Sequence, residues 1–186
     1  ALLHYQGSTP NTNPVWVDLV YGGRQDFVAN STFLGYMTPY DDPRLPYYFT
    51  QDASGGYSGG NPGSSSSFPT FSKPAGLMAI LAGDPTDIGH LSDPTFPSDL
   101  LDYSEVEFYL AEAAERGFTV PGTAEDHYNN AITASIEYWT GSAGGATAYL
   151  AQPAVAYTTA TGTWQQKIGT QAYLAFYNRG FDAWTE

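Results

Sequence analysis

The stretch LAEAAERGFTVPGTAEDHYNNAITASIEYW, from Leu110 to Trp139, decides the fold. It reads as two runs of helix formers separated by Gly117 and by Pro121-Gly122. Upstream, Asp102 and Glu105 form a D-x-x-E start, a variant of the capping box in which a carboxylate accepts the first free N–H groups. Val106, Leu110, Ala113 and Ala114 then recur at three- and four-residue spacing and are expected to face inward, and Gly117 stands where a helix ends in a left-handed residue. Thr123 is expected to cap the second helix, with Tyr128, Ala131, Ile132, Ser135 and Trp139 on its inner face and Gly141 closing it. The small residues Ala113, Ala114 and Ala131 let two backbones approach closely, which is the packing logic of tetratricopeptide-type hairpins.

Working outward, Thr163-Trp-Gln-Gln166 is a T-x-x-Q capping box that starts a third helix through Ile168, Ala172, Ala175 and Phe176 to Arg179. Gly180 breaks it, and Phe181 and Trp184 open a further amphipathic piece that reaches the last residue without a cap. This suggests a fragment of a longer helical protein. Ile168 and Phe176 are expected to need a partner surface beyond the hairpin, leaving apolar surface exposed. Residues 1–38 read as short helices, one or two of them around Asp26-Phe-Val28. Residues 39–100 change character: nine of the 13 prolines fall there, with GGYSGGNPGSSSSF, whose composition is that of a flexible loop tip. Residues 101–186 form the helical scaffold. The fold class is therefore mainly α, helical hairpins with a long irregular aromatic-rich region.

Charge and composition exclude several functions. Six Lys plus Arg against 19 Asp plus Glu give a net charge of −13, which repels a polyphosphate along most of the surface and argues against nucleic acid. With 42% apolar residues a packed core is within reach, and no uninterrupted apolar run is long enough to span a bilayer as a helix. The absence of cysteine removes disulfides, thiolate chemistry and cysteine-ligated zinc. His4, His90 and His127 are far apart in sequence and outside any H-x-x-x-H pattern, and no nucleophile elbow, P-loop or dinucleotide fingerprint is present. Asp84, Asp87 and Asp93 could be imagined around calcium, but their spacing is not that of a calcium loop, and Asp-Pro turns account for them better. No metal or cofactor is expected. No pair among the acids is singled out for glycoside hydrolysis, which would need a buried carboxylate pair with one raised pKa; an enzyme is disfavoured.

The aromatic side chains of the irregular region are the candidate site. Sugar rings stack their C–H faces on aromatic rings while their hydroxyls bond to Asp, Asn and Gln. Tyr47, Tyr48 and Tyr57, beside Gln51, Asp52 and Asn61, together with Phe68, are the proposed ligand-binding residues. The same rings would equally serve as buried staples holding an irregular segment to its scaffold.

Four stretches carry a family resemblance. EVEFYLAEAAERGF (105–118) followed by HYNNAITASIEYW (127–139) resembles the helix pair of the SusD/RagB-like outer-membrane lipoproteins, in the SusD-like_2 type subgroup. WQQKIGTQAYLAFYNRGFDAWTE (164–186) is similar to that subgroup's C-terminal run, and DDPRLPYYF (41–49) to its Asp-Pro-Arg-Leu element; Tyr173 departs, where many members have Trp. The resemblance implies the C-terminal portion of a SusD-like domain, with a lipid-attached N-terminus lying outside this chain. It also implies a cell-surface glycan- or nutrient-binding component of an outer-membrane uptake system. Its partners would be an oligosaccharide or other nutrient and a SusC-like TonB-dependent transporter, with no covalent chemistry. The alternative is an interaction scaffold that docks on the transporter while ligand is bound elsewhere.

Overall fold

The computed structural model describes residues 1–65 and 67–185. They form two compact units, one comprising Ala1 and residues 40–43 and 99–186, the other residues 2–39 and 44–98. The segments 1–38 and 39–100 distinguished by composition thus lie for the most part together in the second unit. Regular structure is mainly helical, and among the described residues strand is confined to Leu2–Leu3 and Ser98–Asp99.

In the second unit the helices are short: α1 (Pro14–Trp16), running into a π-type turn at Val17–Tyr21, then α2 (Ser31–Gly35), α3 (Leu45–Tyr48) and α4 (Leu77–Leu81). Asn13 starts α1 by accepting from the N–H groups of Val15 and Trp16, and Pro14 adds a fixed φ at the first position. The stretch Asp26–Val28, around which one or two short helices are expected, is itself irregular, with helix on either side of it. Its continuation is drawn into backbone pairing, with Ala29 N–H donating to Ser72 O at 2.8 Å and Gly60 N–H to Ala29 O at 2.9 Å. The same lacing explains how a Pro-, Gly- and Ser-rich region folds. Ser72 N–H reaches Ser58 O, Ser31 N–H reaches Gly60 O, and Phe49 bridges Pro74 antiparallel, so buried backbone groups find partners without a sheet. GGYSGGNPG is therefore no free loop tip. A Cβ on Gly59 would lie 2.4 Å from Ala29 O and 2.8 Å from Ser31 N. Gly59→Ala is expected to destabilise this unit by about 1–3 kcal/mol, read as a lowered urea midpoint.

The other unit holds α5 (Tyr103–Glu115), α6 (Ala124–Thr140), α7 (Ala146–Leu150), α8 (Trp164–Ala175) and α9 (Gly180–Thr185). The caps stand where the sequence places them. Asp102 accepts from Glu105 N–H, Thr123 and Asp126 form a reciprocal capping box, as do Thr163 and Gln166, and Gly117 and Gly141 have φ of 81° and 73°. The helix α5–α6 hairpin packs through Ala111 and Ala131, both fully buried, and Ser104 Oγ donates to Ala131 O at 2.9 Å. The inner face of α6 is the expected one, joined by His127 and Ile136.

Helix α5 turns a different face inward from the one expected. Ser104, Glu105, Glu107, Phe108 and Ala111 are buried, whereas Val106 is 37% exposed and Leu110, Ala113 and Ala114 are only half-buried. Two carboxylates sit on the buried stripe because each has a cation waiting for it, an arrangement that apolar periodicity does not reveal. Ile168 and Phe176 need no outside partner: both are buried in one cluster with Phe108, Ile132, Tyr149 and Val155, and Phe176 meets Phe108 edge-on at 6.2 Å. The segment around α7 completes that cluster, tied by Tyr128 Oη donating to Val155 O at 2.8 Å. Helix α8 ends at Ala175, earlier than expected, and α9 follows from Gly180.

Candidate functional site

Within the unit of residues 2–39 and 44–98, the strands of irregular backbone at 48–53 and 70–75 run antiparallel. Thr50 N–H donates to Lys73 O, Ala75 N–H to Tyr48 O, and Lys73 N–H to Thr50 Oγ1. This pairing sets Thr50 beside Lys73 at the wall of a cleft of about 500 Å³, lined among others by Gln51, Asp52, Tyr57, Lys73, Asp84 and Asp87. A second, more open cleft of about 640 Å³ is lined by Gln25, Phe27, Asn30, Asn61 and Phe68 among others.

The carboxylates of the first cleft are structural acceptors. Asp52 takes Ser54 N–H, Ser54 Oγ and Gly56 N–H on Oδ1 and Ser58 Oγ on Oδ2, closing the 52–58 turn. The Ser58 and Ser54 bonds hold its carboxyl well below the usual carboxylate range. Asp87 takes Gly76 and Gly89 N–H on Oδ1 and Met78 and Ala79 N–H on Oδ2, so a remote residue caps α4. Asp84 and Asp93 each fold onto the backbone N–H and hydroxyl two residues on, at Thr86 and Thr95. Their bonding is that of turns, and among the described residues no group of three or more His, Cys, Asp or Glu comes together to hold a metal ion.

The four aromatic candidates part ways. Tyr57 is half-buried in the first cleft, and burial raises its phenol pKa. Phe68 lines the second cleft and packs on the cluster of Leu19, Val20 and Leu77, with Lys73 Nζ 5.1 Å from its ring centre. Tyr47 lies in neither lining; its ring stacks 6.2 Å from that of His90, which stacks in turn on Phe96 at 4.6 Å. Tyr48 is a correction: it is 0% exposed, packed near Phe33 and Phe49, so its ring holds the core and offers no face to a ligand. Lys73 was missed by the sequence reading, although it is one of only two lysines in the chain and, among the described residues, the one cation lining the first cleft.

A separate polar cluster lies in the helical unit. Arg179 Nη1 donates to Glu105 Oε2 at 2.5 Å and Nη2 is 3.5 Å from Asp102 Oδ2, while Asp99 accepts from Tyr138 Oη and Asn178 Nδ2. Burial raises the Asp102 carboxyl above its ordinary 3.8. A buried carboxylate group with one raised pKa is what hydrolysis would require, but here Asp102 caps α5 and Arg179 neutralises its neighbours. The two clefts described above are lined by other residues.

Capped helical hairpins in one unit and irregular, aromatic, cleft-bearing backbone in the other define a mainly α protein of SusD-like, tetratricopeptide-like architecture. The chain belongs to the SusD-like_2 family, described as starch-binding and associating with the outer membrane, whose model matches residues 1–186. Among solved structures, it is similar to a SusD-like protein of Bacteroides thetaiotaomicron, with 27% identity, a TM-score of 0.61, and coverage of 84% of this chain and 37% of that one. It is also similar to a candidate outer-membrane protein of Bacteroides vulgatus thought to act in nutrient binding (25% identity, TM-score 0.69, 96% and 42% covered). A chitin-binding SusD homolog of Flavobacterium johnsoniae shares the fold at 24% identity and TM-score 0.63, with 96% and 40% covered. The chain thus spans about two fifths of the length of these proteins. No curated protein matches it.

Proposed function

We propose that this chain is part of a non-catalytic, cell-surface glycan- or nutrient-binding component of an outer-membrane uptake system. It would be lipid-anchored and work beside a SusC-like TonB-dependent transporter. The observation that carries this reading is the family match over residues 1–186, whose description names starch binding and the outer membrane. The Tyr57 cleft supports it: an aromatic face set among Gln51, Thr50 and Asp52 is the chemistry a sugar ring needs. Starch-type and chitin-type oligosaccharides are the first ligands to titrate by calorimetry. Tyr57→Ala is expected to weaken binding roughly tenfold, because a stacked aromatic face contributes about 0.5–1.5 kcal/mol beyond the area it covers. Absence of heat with every glycan would sink the sugar reading, and full affinity in Tyr57→Ala would remove this cleft from it.

A second reading, a scaffold that docks on the transporter, is favoured by one feature. The outer face of α5 presents Tyr103, Val106 and Tyr109 to solvent beside exposed Leu100 and Leu101. In that case serine substitutions at Tyr103 and Val106 would reduce co-purification with the transporter while glycan binding stayed intact.

A further inference from the structure

We propose that Lys73 is the hydrogen-bond donor of the Tyr57 cleft, bonding an uncharged acceptor oxygen of a bound glycan, an acetamido carbonyl or a hydroxyl, while Asp52 bars uronic-acid glycans. The inference rests on reading that cleft as a glycan site.

Lys73 is only 7% exposed, yet it lines the cleft. Its ammonium has three N–H donors, of which Nζ uses one on Phe71 O at 2.7 Å, with the Phe68 ring flanking it at 5.1 Å. The other donors have no protein acceptor among the described residues, and neither has the Tyr57 hydroxyl. A ligand oxygen taking one of the remaining N–H groups would form a bond to a charged donor, stronger than one between neutral groups. The carboxylates around the cleft are committed to the protein: Asp52 accepts four hydrogen bonds from its own turn, Asp87 accepts four from Gly76, Met78, Ala79 and Gly89, and Asp84 holds Thr86. The charged donor left unfilled on these walls is Lys73 Nζ, so the matching ligand presents an acceptor to it.

Charge decides which kind. The lining holds Asp52, Asp84 and Asp87 against Lys73 alone, in a chain of net charge −13. Burial lowers the pKa of Lys73, and the field of Asp52 offsets only part of that. A ligand carboxylate brought to Lys73 would enter the negative field of Asp52, Asp84 and Asp87 in the same cleft, where like charges repel more strongly than in water. Donor capacity is therefore unfilled while carboxylates outnumber the cation in the lining, a combination that favours a neutral glycan.

The test is calorimetry of the chain with N-acetylglucosamine oligomers, malto-oligosaccharides and oligogalacturonate, for the wild type, Lys73→Met, Tyr57→Phe and Asp52→Asn, with circular dichroism confirming that each is folded. The wild type is expected to bind a neutral oligomer at least tenfold more tightly than oligogalacturonate. Lys73→Met should lose roughly tenfold or more on the neutral ligand, as expected for a bond to a charged donor, and Tyr57→Phe should lose less. Asp52→Asn, which keeps Oδ1 as an acceptor, should gain oligogalacturonate binding. Tighter binding of oligogalacturonate by the wild type, or unchanged neutral binding in a folded Lys73→Met, overturns this proposal alone. Silence with every glycan overturns it together with the glycan reading itself.

Discussion

Arg179→Met is expected to destabilise the helical unit by about 3–5 kcal/mol, because it breaks a buried ion cluster from the cationic side. The Arg179 side chain is 5% exposed and Glu105, its partner, 9%. Asp102 and Asp99 lie in the same cluster, and no other Lys or Arg is paired with it among the described residues. Burial opposes the guanidinium charge, but the bond to Glu105 and the field of Asp102 outweigh it, and its pKa is raised. Methionine would keep the packing of the stem over Phe176, whose ring centre lies 4.3 Å from the guanidinium carbon. It would leave the carboxylates uncompensated in a site where Asp102 is already held above its ordinary range. Urea unfolding followed by circular dichroism measures the loss, and a change below about 1 kcal/mol would class the cluster with surface pairs. Arg179→Lys should fall between, since a point charge cannot reproduce the fork that reaches Glu105 and Asp102 together.

The second large effect lies at His127 and is legible as a pH dependence. Nδ1 is 2.7 Å from Glu107 Oε2 and Nε2 is 2.5 Å from Pro121 O. A carbonyl oxygen only accepts, and a carboxylate only accepts, so the arrangement suits an imidazolium carrying both protons. Burial works against that charge, but the Glu107 bond and the Pro121 carbonyl outweigh it and raise the pKa above the ordinary 6.5. Burial likewise opposes ionisation of Glu107, and the bonds from His127, Tyr103 and Asn130 outweigh it, placing it below 4.5.

The signs follow from which form the fold prefers. A histidine whose pKa is raised on folding contributes stability in full below 6.5 and loses it as pH rises through the folded value. A glutamate whose pKa is lowered contributes above 4.5 and loses it as pH falls. The pair therefore supports the α5–α6 hairpin most between about pH 4.5 and 6.5. Melting temperature is expected to fall from pH 6 to pH 9. The acid limb is shared with Asp52, Asp84 and Asp126, whose carboxyls are also lowered, so the alkaline limb is the diagnostic one. His127→Leu should flatten that limb and cost about 3–5 kcal/mol, because Glu107 is left buried without its cation. An unchanged alkaline slope in His127→Leu would show that the pair does not titrate as described. The double variant His127→Leu/Glu107→Leu should recover part of the loss, since apolar residues of similar volume replace a buried pair at little cost.

The sequence by itself determined the helical hairpin, the caps and the family. Thr123 with Asp126, Thr163 with Gln166, and the glycines at 117 and 141 act over three or four residues, so their meaning is local and survives reading without coordinates. It also marked the aromatic, irregular region as the place to look for a cleft. Which face of α5 turns inward was decided only by the tertiary structure. The buried stripe contains Glu105 and Glu107, and carboxylates belong there only because Arg179, 74 residues away, and His127, 20 residues away, meet them.

The fate of each aromatic ring was decided in the same way. Tyr47 and Tyr48 are adjacent in sequence, yet one stacks beside His90 and the other is sealed in the core, because successive residues of α3 point about 100° apart. Lys73 carried no local signal beyond its rarity, since its place in the cleft comes from the pairing of residues 48–50 with 73–75, across more than twenty residues. Short-range hydrogen bonds made the elements readable; long-range pairing of charge and backbone chose the faces and the site.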